Sequence, residues 1–521
     1  MRLIVVVVSC ALLQMVASQL IWDIWQTTWN RNNLFKSLNP RPPLKFATPD
    51  AIGKANIVVN ENITYQNIVG FGGSLTDSSA FLFNNLKAKN PASYRSLLNY
   101  LFNATEGENA AGLSYLRVPL GATDFSPNTY SFNDVKGDLC SSQFNINNVP
   151  WYFFPILSDI LSVNPAIKIH IVPWSPPGWM KSTGTMNGGT LNPTLVNNYA
   201  MYLLKALEGF MAKDVNVYAI SIQNEPENSN PTYPTTTFSA ATEAKIGIQL
   251  KALMRTNGFA NVKLIGYEHN WNDALGYPVQ LMKAAGDVFD GVAFHCYSGN
   301  VSQQGAFHKL YPNKCSGVFG TDWWSDIKWY MDNIFIGALE NNAKAALMWN
   351  LALDGQGSPK LPGTNSCGGL GCRGIVTIDS DGTWSPNQEF YAMSHVSKAT
   401  IPRDLGGPSG TRIKTTIDGT LSWGLRVVGF STRRLNPTDW TRYSLVVLNW
   451  DDSVGGWNPT PIETTILFRG MQARYTFPVG VTTLWWYATP STAPSLKDLA
   501  AAVGPKVVQS KFDVLDQAKI P

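Results

Sequence analysis

Glu225 stands where a candidate strand, Val215–Gln223, runs into Asn224-Glu225-Pro226. A carboxylic acid at such a junction is placed to move a proton. In parallel α/β barrels the chemistry gathers at the C-terminal ends of the strands, where loops converge on one mouth and the strands fix their bases. The alternation Val215, Val217, Ala219, Ile220, Ile222 supports the strand. Pro226 ends it by removing an N–H and by pressing Glu225 toward an extended conformation. Alone, a strand-end glutamate is more often solvated or paired with a lysine. Other candidate strands, however, also end in polar groups: Arg117 through Asp124, Trp174 through Trp179, Glu268-His269-Asn270-Trp271, His295-Cys296-Tyr297 and Trp349-Asn350. A mouth of carboxylates, amides, histidine and tryptophan, with no phosphate-binding glycine loop and no metal cluster, fits a sugar site that needs no cofactor.

The elements that must position these residues alternate along the chain. Candidate strands are Asn67–Gly72, Leu113–Leu120, Lys168–Trp174, Val215–Gln223, Val262–His269, Gly291–Tyr297 and Ala346–Leu353. Helical patterns lie between them at Pro91–Phe102, Tyr152–Leu161, Leu195–Met211, Ala241–Thr256 and Trp324–Glu340. This rhythm predicts an α/β fold, a parallel sheet closing as a (β/α)8 barrel over 49–399. Only seven strands are countable. The expected seventh falls at Tyr311-Pro-Asn-Lys-Cys-Ser-Gly-Val-Phe-Gly320, whose Pro, Asn and Gly suit a buried strand poorly. Beyond Ile401 the texture becomes all-β, with short alternating runs at Arg412–Ile417, Leu421–Phe430, Tyr443–Asn449, Thr464–Phe468, Ala473–Phe477 and Thr483–Ala488. These predict a β-sandwich over 400–488, to which residues 19–48 add strands. Residues 489–521 read as a linker, a short helix from Ser495 to Val503 and a loose tail.

Composition bounds the partners. A formal charge of +4 over 521 residues, with no basic stripe, excludes nucleic acid as a natural ligand. The 18 Trp, 19 Tyr and 24 Phe suit stacking against the apolar faces of sugars. Residues 1–18, an arginine followed by the apolar run Leu3–Val16 and a small-residue exit, read as a signal peptide, so a secreted, extracellular monomer without a transmembrane segment is expected. Once Cys10 leaves with that leader, Cys140, Cys296, Cys315, Cys367 and Cys372 remain. Cys367 and Cys372 are spaced to close a small loop in an oxidising compartment. The sequons at Asn62, Asn103 and Asn300 are candidate glycosylation sites there.

Several runs together resemble glycoside hydrolase family 30: Ile68-Val-Gly-Phe-Gly-Gly-Ser-Leu-Thr-Asp77, Arg117-Val-Pro-Leu-Gly-Ala-Thr-Asp-Phe-Ser126, Pro173-Trp-Ser-Pro-Pro-Gly-Trp-Met-Lys181, Gln223-Asn-Glu-Pro226 and Met348-Trp-Asn-Leu-Ala-Leu353. The likeness runs in order through nearly all of residues 20–488. Within the family, Trp349 through Gly363 and the Cys367/Cys372 loop look most like secreted fungal endo-β-1,6-glucanases, and less like glucosylceramidases. The resemblance implies retaining hydrolysis by two carboxylates. Glu225 matches the general acid/base. Asn224 matches the residue that bonds the sugar 2-hydroxyl, and Arg117, Asp124, Trp174, His295, Tyr297 and Trp349 match positions around the glycone.

The nucleophile, a second glutamate ending strand seven, has no counterpart. In the family an apolar strand ending in Thr-Glu or Ser-Glu precedes Cys-Ser-Gly, whereas here Lys314 runs directly into Cys315-Ser316-Gly317. About six residues, one barrel strand, are absent. Asp322, the nearest acid downstream, precedes Trp323-Trp324 and reads as the start of a helix. The expected function is therefore hydrolysis of β-glucosidic bonds, most readily β-1,6-glucan, in a chain lacking its nucleophile segment. The alternatives are a β-glucan-binding protein without turnover and an exo-acting glucosylceramidase-type β-glucosidase.

Overall fold

The computed structural model describes residues 19–39, 43–311, 323–368 and 371–490. The leader 1–18, the Lys314–Cys315 junction, Asp322 and the Ser495–Val503 helix lie outside the described residues.

Seven parallel strands form one sheet: Gly70–Ser74, Tyr115–Leu120, Lys168–Pro173, Val217–Ser221, Lys263–Asn270, Gly291–His295 and Ala345–Asn350. The first six pair in chain order, and Ala345–Asn350 pairs with Gly70–Ser74, as the last strand of a barrel does with its first. Gly291–His295 and Ala345–Asn350 are the two edges, and among the described residues no strand joins them. The segment in which the sequence leads one to look for a seventh strand, 311–320, falls between them and lies, apart from Tyr311, outside the described residues.

The helices follow from the local sequence. Pro91–Phe102 opens on a proline, has its first turn capped by the Asn90 side chain, and buries Tyr94, Leu97, Leu98, Leu101 and Phe102, the spacing of one helical face. The helix expected over Trp324–Glu340 is broken. An α-helix over Trp323–Trp329 passes into a π-turn at Tyr330–Phe335, where Ile336 N–H donates to Met331 O (2.7 Å), and resumes at Gly337–Glu340.

The second sheet has ten strands, and Leu20–Thr28 joins it beside Gly480–Ala488, as the sequence predicts. One strand belongs to it unexpectedly. Ala55–Asn67 runs antiparallel to Thr411–Asp418 and parallel to Ile462–Phe468, so the barrel takes up after Asn67 and not at residue 49. Its asparagines and glutamate disguise it, because only the Ala55, Ile57 and Val59 side packs into the sandwich core. The first barrel strand shifts accordingly to Gly70–Ser74. The strand expected over Ala346–Leu353 ends at Asn350, and Ala352–Leu353 instead pairs with Val376–Ile378 in a small three-stranded sheet.

The Gln388–Thr400 helix is buried along most of its length between barrel and sandwich. His395 bonds Thr27 and Thr483 on two sandwich strands, each at 2.9 Å. The barrel is therefore joined to the sandwich through this buried helix.

Candidate active site

Glu225 lies four residues beyond the Val217–Ser221 strand, held by its neighbours on both sides. Asn224 N–H donates to Pro173 O (2.8 Å), and Glu225 N–H donates to Glu268 O (3.0 Å). These bonds impose φ +49° on Glu225, so the extended conformation expected from Pro226 is not the one adopted. Tyr267 and Glu268, across that contact, also have positive φ (69° and 50°). Non-glycine residues in this region store strain, and such strain collects at functional sites.

The Glu225 carboxylate meets His295 Nδ1 at 2.9 Å with one oxygen and accepts from Asn228 Nδ2 at 2.9 Å with the other. The remaining nitrogen of His295 meets Glu268 at 3.2 Å. One imidazole thus stands between two carboxylates. Arg117 donates to Asn224 Oδ1 (2.7 Å) and to Glu268 (3.0 Å), and its guanidinium lies 4.6 Å from the Trp174 ring centroid. Trp174 and Trp349 stack at 5.0 Å with 23° between their planes. Asp124 accepts from Ser366 with one oxygen, while the other is buried without a partner among the described residues. Tyr297 stands half exposed at the rim, its N–H bonded to Asn270 (2.9 Å).

Arg117, Asp124, Trp174, Asn224, Glu225, His295, Tyr297 and Trp349 all line one cleft of about 850 Å³. The eight residues read from the sequence as catalytic or sugar-contacting therefore share one cleft, and the sequon asparagines Asn62, Asn103 and Asn300 lie outside its lining. A second cavity of about 400 Å³ shares Arg117, His295, Tyr297 and Trp349 with it and is bordered by Phe294 and Leu347 of the two edge strands. The Cys367–Cys372 disulfide forms part of the cleft rim.

The charges are settled by these contacts. Burial pushes the Glu225 carboxyl up, but the hydrogen bond and charge of His295 outweigh it and hold it at about 2. Burial likewise opposes the charge on Glu268, yet Arg117 and His295 bring it well below the usual carboxylate range. His295 is raised against its own burial by bonds to both acids, and as an imidazolium it donates from each nitrogen. Burial raises Asp124 to about 6, against the pull of the Ser366 hydroxyl.

Glu268 is the functional residue that the sequence reading passed over. It stands at the end of the fifth strand, in a run noted as polar, but nothing local tells a buried anchor from a rim residue. It is 2% exposed and accepts bonds from Arg117, His295 and Ser221 (2.6 Å). A carboxylate so committed, on the far side of the His295 ring from Glu225, positions the site and is unsuited to attack an anomeric carbon. Among the described residues no group of acids, histidines or cysteines is arranged to hold a metal ion.

Residues 68–399 match the glycosyl hydrolase family 30 TIM-barrel domain. An endo-1,6-β-D-glucanase of Neurospora crassa is 33% identical over 352 residues, 64% of this chain and 70% of that protein. One from Trichoderma harzianum is 32% identical over 355 residues, 64% of this chain and 69% of that protein. A solved endo-β-1,6-glucanase structure, 26% identical, aligns with 90% of this chain and 99% of its own at a TM-score of 0.73.

Proposed function

The chain belongs to glycosyl hydrolase family 30, a family of retaining O-glycosyl hydrolases, and from that premise we propose that its cleft binds β-1,6-linked glucan with Glu225 at the scissile bond. Asp124 accepts hydroxyls of the non-reducing sugar, Asn224 bonds its 2-hydroxyl, and Trp174 and Trp349 wall the ring. Arg117, Glu268 and His295 fix Asn224 and Glu225. The observation that carries this reading is the hydrogen-bonded chain Asn224–Arg117–Glu268–His295–Glu225, which lines one cleft together with an unpartnered oxygen of Asp124.

We further propose that this chain binds glucan far better than it cleaves it, because Lys314 meets Cys315 where a strand ending in the nucleophile belongs. The charge state of Glu225 supports this. In a retaining site the neighbouring nucleophile carboxylate raises the acid/base, so that it carries the proton the leaving oxygen needs. Here Glu225 sits at about 2, paired with His295, and can act as a base but not as an acid at neutral pH.

The test uses β-1,6-gluco-oligosaccharides by calorimetry, a reducing-end assay, and 2,4-dinitrophenyl β-glucoside with azide. Binding without reducing ends is expected. Azide should displace dinitrophenolate from C1 on the opposite face, giving the α-glucosyl azide with no proton required. Turnover of about 1 s⁻¹ or more on the glucan without azide would reject the missing nucleophile, and absence of binding would reject the glucan.

Secretion belongs to the same proposal. The Cys367–Cys372 disulfide supports an oxidising compartment, and the Asn62 and Asn300 sequons are exposed whereas Asn103 is half-buried. A product starting near Gln19, with a mass that falls on amide-glycan removal, is expected in the medium.

A further inference from the structure

Two sandwich loops carry indoles that the cleft does not use. The first turn, closed by Thr28 N–H donating to Asn33 O (3.0 Å), presents Trp29, Asn30, Arg31 and Asn32. The second, 450–460, presents Trp457 and Asn458. Its base is fixed: Asp451 and Asp452 are buried, Asn458 N–H donates to Asp452 O (3.0 Å) and Thr460 N–H to Asp451 O (2.8 Å). Trp457 is 59% exposed and meets Trp29 at 5.2 Å and 76°. Trp423, also about half exposed, is joined to the second loop by Trp450 Nε1–H donating to its carbonyl (2.8 Å).

These loops are linked to the cleft through one helix. Arg31 lies over the Trp323 ring at 4.3 Å, and Asp452 accepts from Trp324 Nε1 and Lys328 Nζ, all on the helix after the seventh-strand position. Asp326 of that helix binds Arg373, which lines the cleft.

We propose that Trp457, with Trp29 and Trp423, forms a second binding surface for the same glucan, engaging a stretch of chain that runs out of the cleft. The chemistry favours a neutral polyhydroxyl ligand. The acids of the second loop are buried, the one cation of the first, Arg31, lies over Trp323, and the other exposed side chains are the indoles, Ser453, Val454 and the amides of Asn30, Asn32 and Asn458. The axial C–H face of a β-glucosyl ring packs on an indole while amides bond its hydroxyls. One such contact is weak, but on a chain already held in the cleft it acts at high effective concentration.

The inference rests on the glucan reading of the cleft, and the experiment separates the two. Wild type, Trp457→Ala, Trp457→Tyr and Trp174→Ala are compared for binding to long β-1,6-glucan and to a β-1,6-linked glucose trimer, with sedimentation velocity alongside. Trp457→Ala should weaken the long ligand by about tenfold or more and leave the trimer unchanged, and Trp457→Tyr should restore most of the loss. Trp174→Ala should lose the trimer. If Trp457→Ala binds both ligands as wild type does, or loses both equally, the surface is rejected while the cleft stands. If wild type binds the polymer through Trp457 but not the trimer, the surface stands and the cleft reading falls. No polymer binding by wild type, or a dimer abolished by Trp457→Ala, rejects the surface.

Discussion

At the scale of single residues, the site is a chain of charges in which each group fixes the next. His295 is raised above its ordinary value of about 6.5 because both its nitrogens face carboxylates. A group raised on folding lends stability that is complete below the unfolded value and is lost as pH rises through the folded one. The melting temperature of the wild type should therefore fall on the alkaline side of pH 6.5 by more than that of His295→Gln, measured by scanning calorimetry across pH 6 to 9; parallel curves would refute the bridge. Asp124 makes a different prediction. Its unpartnered oxygen waits for a donor, so Asp124→Asn should lower oligosaccharide affinity by about tenfold with the melting temperature nearly unchanged. Glu225 and Asn224 were legible from their place just past a strand, whereas Arg117, read with the polar run that ends its strand, lies inside Tyr115–Leu120. Ser221, which bonds Glu268, was not legible, since a serine inside the candidate run Val215–Gln223 has no local signature.

At the scale of elements, the glycines of the first barrel strand, Gly70-Phe-Gly-Gly, answer a packing demand. A Cβ on Gly72 would collide with the Tyr115 carbonyl oxygen of the paired strand, and one on Gly73 would meet Ile375 Cδ1 at 2.5 Å. Gly72→Ala should cost more than about 2 kcal/mol in urea unfolding, through backbone displacement rather than lost contacts. A value near zero would mean the two strands can part freely. The extra sandwich strand Ala55–Asn67 was missed for a related reason. Its identity rests on partners more than three hundred residues away, Thr411–Asp418 and Ile462–Phe468, while its own asparagines argue for a loop. The π-turn at Tyr330–Phe335 likewise interrupts a pattern that reads as one continuous helix.

At the scale of the whole molecule, the Gln388–Thr400 helix joins barrel to sandwich, and His395 is its polar link. Burial alone lowers this imidazole to about 3, so it bonds Thr27 and Thr483 as a neutral ring. For a base depressed on folding, the unfolded chain takes up protons first as pH falls below about 6.5, and stability declines from there toward 3. His395→Leu should flatten that acid limb, cost about 2 kcal/mol at neutral pH by removing two buried hydrogen bonds, and leave a single melting transition. Two separate transitions would show that barrel and sandwich unfold independently. The sequence by itself determined the alternation of strands and helices, the change to all-β texture after Ile401, the residues at strand ends and the poor strand character of 311–320, because these are carried by periodicity, composition and local order. Only the tertiary structure decided that Glu225 takes a left-handed backbone, that one histidine bridges it to Glu268, and that two sandwich loops contact the helix Trp323–Trp329. Those depend on contacts between segments far apart in the chain, whose strength comes from burial and mutual orientation, and neither is written in any single stretch of residues.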